Sequence, residues 1–186
     1  MPYLVAAVVF VGALGLLNLL LGVAVMARLR EHAQQIAKLG DPARRPGTVS
    51  AGDSVEAFSA VTTSGEPVAR ERLADGTLVA FFSPGCPSCV EQAAELVRHA
   101  PDWPGGRDAV LSVVIADPGQ DVSALVGELE PVSKVVVERN GGPLMAAFRV
   151  DSIPAMCVVD GFGVVLASGG RMEQVLVTQV TQVTRA

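Results

Sequence analysis

Two cysteines separated by two residues, Cys86-Pro87-Ser88-Cys89, carry the most specific chemistry in the chain. They stand between a β-rich apolar run, Thr77–Ser83, and a stretch with helical spacing that opens at Pro87. A strand–CxxC–helix context points to redox chemistry rather than to half of a metal site. Cys86 falls at the helix N-terminus, where unsatisfied N–H groups and the helix dipole favour a thiolate. It is therefore the predicted attacking sulfur. Cys89 lies one turn on and faces the same way, so it can close a disulfide on Cys86; its sulfur is expected to be the more buried. Such a pair attacks a partner disulfide, passes through a mixed disulfide and resolves it. The intervening Pro-Ser tunes the potential but does not tell an oxidant from a reductant.

Other groups compete for a role. A zinc site needs two further ligands, and Cys157, His99 and His32 are the only other Cys or His residues. His32 precedes the domain, and His99 is expected near the far end of the helix. Cys157 sits inside an apolar strand and reads as a small buried hydrophobe. It becomes a second resolving thiol only if its side chain turns toward Cys86. Pro154 opens the same strand and is the third candidate site residue. A cis Ile153–Pro154 bond would form a tight loop beside Cys86, keep a metal from the thiols and offer the Ile153 backbone to an extended substrate strand. Glu91 and Glu95 read as the solvated face of the helix rather than as proton-transfer groups.

The elements that must position these residues follow from periodicity. Val55, Phe58 and Val61 before Gly65-Glu66 predict a short strand and turn. Thr77–Ser83 and Ala109–Ala116 predict two strands buried on both faces. Pro87 to Ala100 predicts a helix, with Pro in its first turn and Val90, Ala93, Ala94 and Val97 as its buried stripe. A short helix at Val122–Leu129, a strand at Val132–Glu138 and one or two helical turns at Leu144–Phe148 follow. Asp160-Gly161-Phe162-Gly163 marks a hairpin between strands Ala155–Val159 and Val164–Ala167. Leu176, Val180 and Val183 mark a last helix. The early β-α-β-α order implies parallel pairing and the late hairpin antiparallel pairing, so the fold class is α/β: a mixed sheet flanked by helices.

Composition narrows the function. The chain has 186 residues, half of them apolar, 18% charged, with three cysteines. Disorder throughout and a disulfide-framework miniprotein are both excluded. Residues 1–45 carry five Lys/Arg against two Asp/Glu, and residues 46–186 nine against seventeen. The acidic domain offers no electrostatic footprint for nucleic acid.

Leu4 to Met26 is uncharged over 23 residues. As a helix it would span roughly 35 Å, enough for a bilayer core with some tilt. No basic segment precedes the run, it is long for a signal peptide, and Arg28 and Arg30 follow at once, so a retained anchor is expected. The predicted organisation is an anchor at 1–27 that meets the bilayer through residues 4–26, a polar stalk at 28–48 and the α/β domain at 49–186. Five basic residues follow the anchor (Arg28, Arg30, Lys38, Arg44 and Arg45), and the positive-inside rule alone would place that side in the cytoplasm.

FFSPGCPSC before a helix, with SIPAMCVVDGFGVVLASG downstream, resembles the membrane-anchored thioredoxin-like proteins of the TlpA/ResA type. Within that group, Ser83-Pro84-Gly85 and the anchor with its basic stalk are most similar to the methylamine-utilisation accessory protein family MauD. The resemblance implies a thioredoxin-like domain with Cys86 as nucleophile, Cys89 as resolving thiol and Pro154 as the cis-proline, acting on protein thiols or disulfides. It also implies no bound cofactor and an extracytoplasmic location, and a CxxC that exchanges with disulfides suits an oxidising compartment. The expected location is therefore the outer face of a bacterial cytoplasmic membrane, with a membrane electron donor as a further partner. Three departures stand out: Gly85 replaces the usual aromatic residue, Ala94 stands where a mid-helix proline is common, and the buried acid of many relatives has no match. The alternative reading is a redox-inactive adaptor or assembly chaperone on the same fold; a metallochaperone would need a histidine near the pair.

Overall fold

The computed structural model describes residues 48–183. The anchor expected at 1–27 and all but the last residue of the stalk expected at 28–48 lie outside the described residues. Among the described residues no helix is long and apolar enough to cross a membrane.

The strands are β1 (Ser59–Val61), β2 (Pro67–Ala69), β3 (Thr77–Phe82), β4 (Val110–Ile115), β5 (Lys134–Glu138), β6 (Ala155–Val159) and β7 (Val165–Gly169). The α-helices are α1 (Pro87–His99), α2 (Ser123–Leu129), α3 (Pro143–Ala147) and α4 (Met172–Val183). β1 and β2 form a separate antiparallel hairpin. The sequence showed only the first of these two strands, because a three-residue strand opened by proline carries no usable alternation. Strand β5 starts two residues later than expected: the Val132 and Ser133 amides both donate to the Leu129 carbonyl and close the turn after α2 instead. Strand β7 is shifted as well. Val164 makes only an isolated bridge to Ser54, and the register slips at Val158/Val159.

The main sheet runs β5-β4-β3-β6-β7. β3 pairs parallel with β4 and β4 parallel with β5, while β6 and β7 are antiparallel to their neighbours. This mixed order sets the position of the site. The carboxyl end of β3 leads to Cys86, and the antiparallel β6 begins at that same edge, with Ala155 opposite Phe81. Pro154 is thereby carried to the CxxC end of the sheet from about 70 residues away in sequence.

Each face of the sheet buries its own core. Val79, Phe81, Val113, Cys157 and Val159 point to one face, where Val55, Phe58, Leu144 and Phe148 cover them. Leu78, Ala80, Phe82, Val114 and Met156 point to the other, under Cys89, Ala93 and Leu96 of α1, Leu129 of α2 and Val175 of α4. The period-two alternation of β3 and β6 thus puts Cys157 on the face away from Cys89.

The buried stripe of α1 differs from the one expected. It runs Cys89, Ala93, Leu96, whereas Val90 is 49% exposed and Ala94 is also exposed. Spacings of four and three fit one helical face, and Cys89 itself belongs to that face, buried in the cluster on the sheet. The far end of the helix is held by Trp103, buried, whose Nε1–H donates to the Gly76 carbonyl at 3.0 Å.

Phe148 is the hub of the other core, with ring centroids 5.5 Å from Phe81 and 5.7 Å from Phe58, both tilted. Its backbone carbonyl also accepts from Val49 N–H and the Thr48 hydroxyl. Phe148→Ala is expected to destabilise the full chain by about 3–5 kcal/mol, read as a lowered urea midpoint.

Candidate active site

Strand β3 ends against Ser83-Pro84-Gly85, and Cys86 caps helix α1. Cys86 is half-buried, with extended backbone dihedrals (φ −112°, ψ 111°). That conformation lets its own side chain fold over the first turn. The Cys89 amide donates to Cys86 Sγ at 3.3 Å, and the Ser88 hydroxyl lies 3.2 Å from the same sulfur. Pro87 occupies the first helical position, where its missing N–H costs nothing. The first turn holds no acid, and Arg98 and His99 occupy the last turn, so the helix dipole is left to act on Cys86.

Partial burial pushes the Cys86 thiol up, but hydrogen bonds from the side chains and backbones of Cys89 and Ser88 outweigh it and hold the thiol below its ordinary value. Cys89 moves the opposite way. Burial pushes its thiol up to about 12, reinforced by its hydrogen bond to the Cys86 sulfur. The two thiols are thus moved apart: Cys86 ionises more readily than an ordinary thiol and Cys89 less readily, and the Cys89 thiol hydrogen-bonds the Cys86 sulfur. Both cysteines are free, as is Cys157. Cys157 is fully buried on the opposite face, and burial alone raises its thiol.

The Ile153–Pro154 bond is cis. Ile153 is half-buried and packs against the same cluster as Cys86. With Ser83, Ile153 lines a cavity of about 230 Å³ beside the pair. The structure thus brings Cys86, Cys89 and Pro154 to one edge of the sheet.

The acids of α1 are elsewhere. Glu95 pairs with Arg98 and with His99, whose Nε2 is 3.8 Å from the carboxylate, at the far end of the helix. Among the described residues the buried polar side chains are threonines and serines, with no carboxylate. The Cys89 thiol thus has no buried carboxylate beside it among the described residues, and it hydrogen-bonds the Cys86 sulfur. Among the described residues no group of Cys, His, Asp or Glu is arranged to hold a metal ion.

Two side chains near the site escaped sequence reasoning. Gln120, in the loop after β4, stands over Gly85: a Cβ on that glycine would lie 3.3 Å from Gln120 Nε2. Glu138, at the end of β5, accepts from the Leu144 and Met145 amides at 3.0 and 2.8 Å and so caps α3. A Cβ on Gly142 would come within 2.6 Å of that carboxyl group, so the glycine keeps the cap in place. Neither residue belongs to a motif, and no local signal would have singled them out.

No protein-family model matches the chain, and no curated protein matches its sequence. Solved structures do match. The thioredoxin domain of a thiol-disulfide oxidoreductase from Bacteroides vulgatus superposes with a TM-score of 0.59 at 16% identity, over 73% of this chain and 99% of that one. The fold is thioredoxin-like. A thio-disulfide isomerase from Thermus thermophilus matches at 0.54 and 21% identity, over 72% and 96% of the two chains. StoA from Bacillus subtilis matches at 0.52 and 19%, over 68% and 96%.

The hydrogen bonds at Cys86 generate a pH prediction. As pH rises through the lowered Cys86 value, thiolate forms and alkylation by iodoacetamide speeds up, then levels off while Cys89 and Cys157 stay protonated. Single-site labelling of Cys86, followed by mass spectrometry against pH, is expected to show a midpoint below that of an ordinary thiol. Ser88→Ala removes the hydroxyl donor and moves that midpoint upward.

Proposed function

We propose that the chain is a thiol–disulfide oxidoreductase acting on protein cysteines through Cys86 and Cys89. One observation carries this reading: a reachable sulfur at a helix N-terminus, met by the Cys89 amide and the Ser88 hydroxyl, sits one turn before a buried one. In the reducing direction the Cys86 thiolate attacks one sulfur of a partner disulfide. A Cys86–partner bond forms, the partner S–S bond breaks, and the other partner sulfur leaves as a thiolate and takes a proton. Cys89 then loses its proton and attacks Cys86. The Cys86–Cys89 disulfide forms, the second partner thiol leaves, and two electrons have passed from the pair to the partner. The oxidising direction is the same sequence reversed. Pro154 and the Ile153 backbone border the place where the partner sulfur must approach.

Residues 4–26 would tether the domain to the outer face of a bacterial cytoplasmic membrane, raising its concentration near exported substrates and a membrane electron donor. The uncharged run, the basic stalk and the use of an exchangeable pair support this placement. The MauD-like approach to the first cysteine supports a role in maturing the cysteines of an exported enzyme.

Cys89→Ser in the full chain, expressed in cells, is expected to accumulate a dithiothreitol-sensitive adduct with the partner. Cys86→Ser is expected to form none and to reduce or oxidise no disulfide substrate. Wild-type turnover in Cys86→Ser would overturn the reading and leave the adaptor alternative.

A further inference from the structure

The cavity beside Cys86 does not end there. A larger one, of about 850 Å³, runs from the loop after β4 to the edge strand β5 and to Ala60 and Val61 of β1. Ala116, Asp117, Gln120 and Asn140 line both cavities, so the two form one continuous cleft. Its near end lies between Ser83 and Ile153. Its far end carries two exposed valines, Val61 at 61% and Val137 at 41%. β5 is the last strand on that side of the sheet, and the β1–β2 turn covers only its beginning, where Thr63 N–H donates to the Val135 carbonyl at 2.8 Å. A cleft leading from Ser83, whose carbonyl accepts from the Cys86 amide at 3.2 Å, to a partly open sheet edge fits an extended polypeptide segment.

The orientation of Gln120 is set by its own loop. The Asp117 amide donates to Gln120 Oε1 at 3.2 Å, and the Gln120 amide donates back to the Asp117 carbonyl at 3.0 Å. The carboxamide oxygen is thus used inside the loop, and the two Nε2 hydrogens are left over Gly85, next to the nucleophile. Among the described residues none accepts from them. A side chain on residue 85 would occupy this space; glycine leaves the amide free to meet a partner.

The near end is also charged. Asp117 and Asp151, both exposed, line the smaller cavity, and no Lys or Arg lines it. The larger cavity is lined by Arg139 as well as Asp117 and Glu138, and the Glu138 carboxylate is engaged by two amides, so the acidic character is confined to the near end.

We propose that this cleft selects an extended, cysteine-bearing segment with Lys or Arg beside its cysteine. Gln120 Nε2 donates to a main-chain carbonyl next to the partner sulfur, and Asp117 and Asp151 meet the neighbouring cation. The inference rests on the oxidoreductase reading of the same site and names the substrate class for it.

The test uses the pre-reduced full chain in single turnover. Three disulfides serve as probes: a peptide with Lys flanking its cysteine, the same peptide with Glu there, and bis(2-hydroxyethyl) disulfide. The Lys peptide is expected to react about tenfold faster than the Glu peptide at low salt, with the ratio shrinking as salt rises. Asp117→Asn with Asp151→Asn is expected to abolish that ratio. Gln120→Ala is expected to slow both peptides several-fold more than it slows the small disulfide. Equal rates for the two peptides with the small disulfide still reduced, or a ratio that survives the double Asp variant, would overturn the charge reading. Equal slowing of peptides and small disulfide by Gln120→Ala would overturn the role given to its amide. Failure to reduce any of the three disulfides would sink the oxidoreductase reading, and this inference with it.

Discussion

The site depends on neutral donors that favour the anionic form of one sulfur. Among the described residues no cation acts on Cys86. Its charge is met by the Cys89 amide, the Ser88 hydroxyl and the Cys89 thiol, all from one helical turn. Hydrogen bonds to the charged form lower a pKa as surely as an opposite charge does, and they do so without burying a second ion. The arrangement needs Cys86 in extended backbone conformation directly before a helix, with the next turn anchored rigidly on the sheet. Leu96 and Ala93 provide the anchor, and Cys89 belongs to the same buried stripe. One face of α1 therefore packs on the sheet and carries the second sulfur of the proposed redox pair.

The two cysteines differ because they sit at different depths of the same turn. Exposure makes Cys86 reachable, and burial disfavours loss of the Cys89 proton. Once the Cys86 sulfur is tied up covalently, it no longer carries the negative charge that helped hold the proton on Cys89. Loss of that charge would favour deprotonation of Cys89, as the proposed exchange requires.

Sheet topology supplies the remainder. Parallel β3 and β4 end at one edge, antiparallel β6 starts there, and the loops at that edge converge on the sulfur. Gln120 arrives from the loop after β4, and Ile153 and Pro154 from the turn before β6. Glu138 works one step further out: by capping α3 it orders the segment between β5 and the Ile153–Pro154 turn. The surface around Cys86 is consequently built from three separate stretches of chain, and the absence of a side chain at Gly85 leaves that surface to the loop of Gln120.

The amino-acid sequence alone determined the strand–CxxC–helix unit, the buried strands β3 and β4, the β6–β7 hairpin and the polarity of the cysteine pair. Each of these rests on local rules: residues two, three or four apart share a face, and a helix N-terminus favours an anion wherever it occurs. The face that α1 buries was misread, since Val90 and Ala94 are as apolar as the residues that do pack, and periodicity cannot choose between adjacent stripes of similar hydropathy. Tertiary structure alone decided which face Cys157 takes, that Gln120 stands over Gly85, and that Glu138 caps a helix six residues on. Those outcomes depend on strand order, register and loop path, which bring together groups too far apart along the chain for any local spacing to connect.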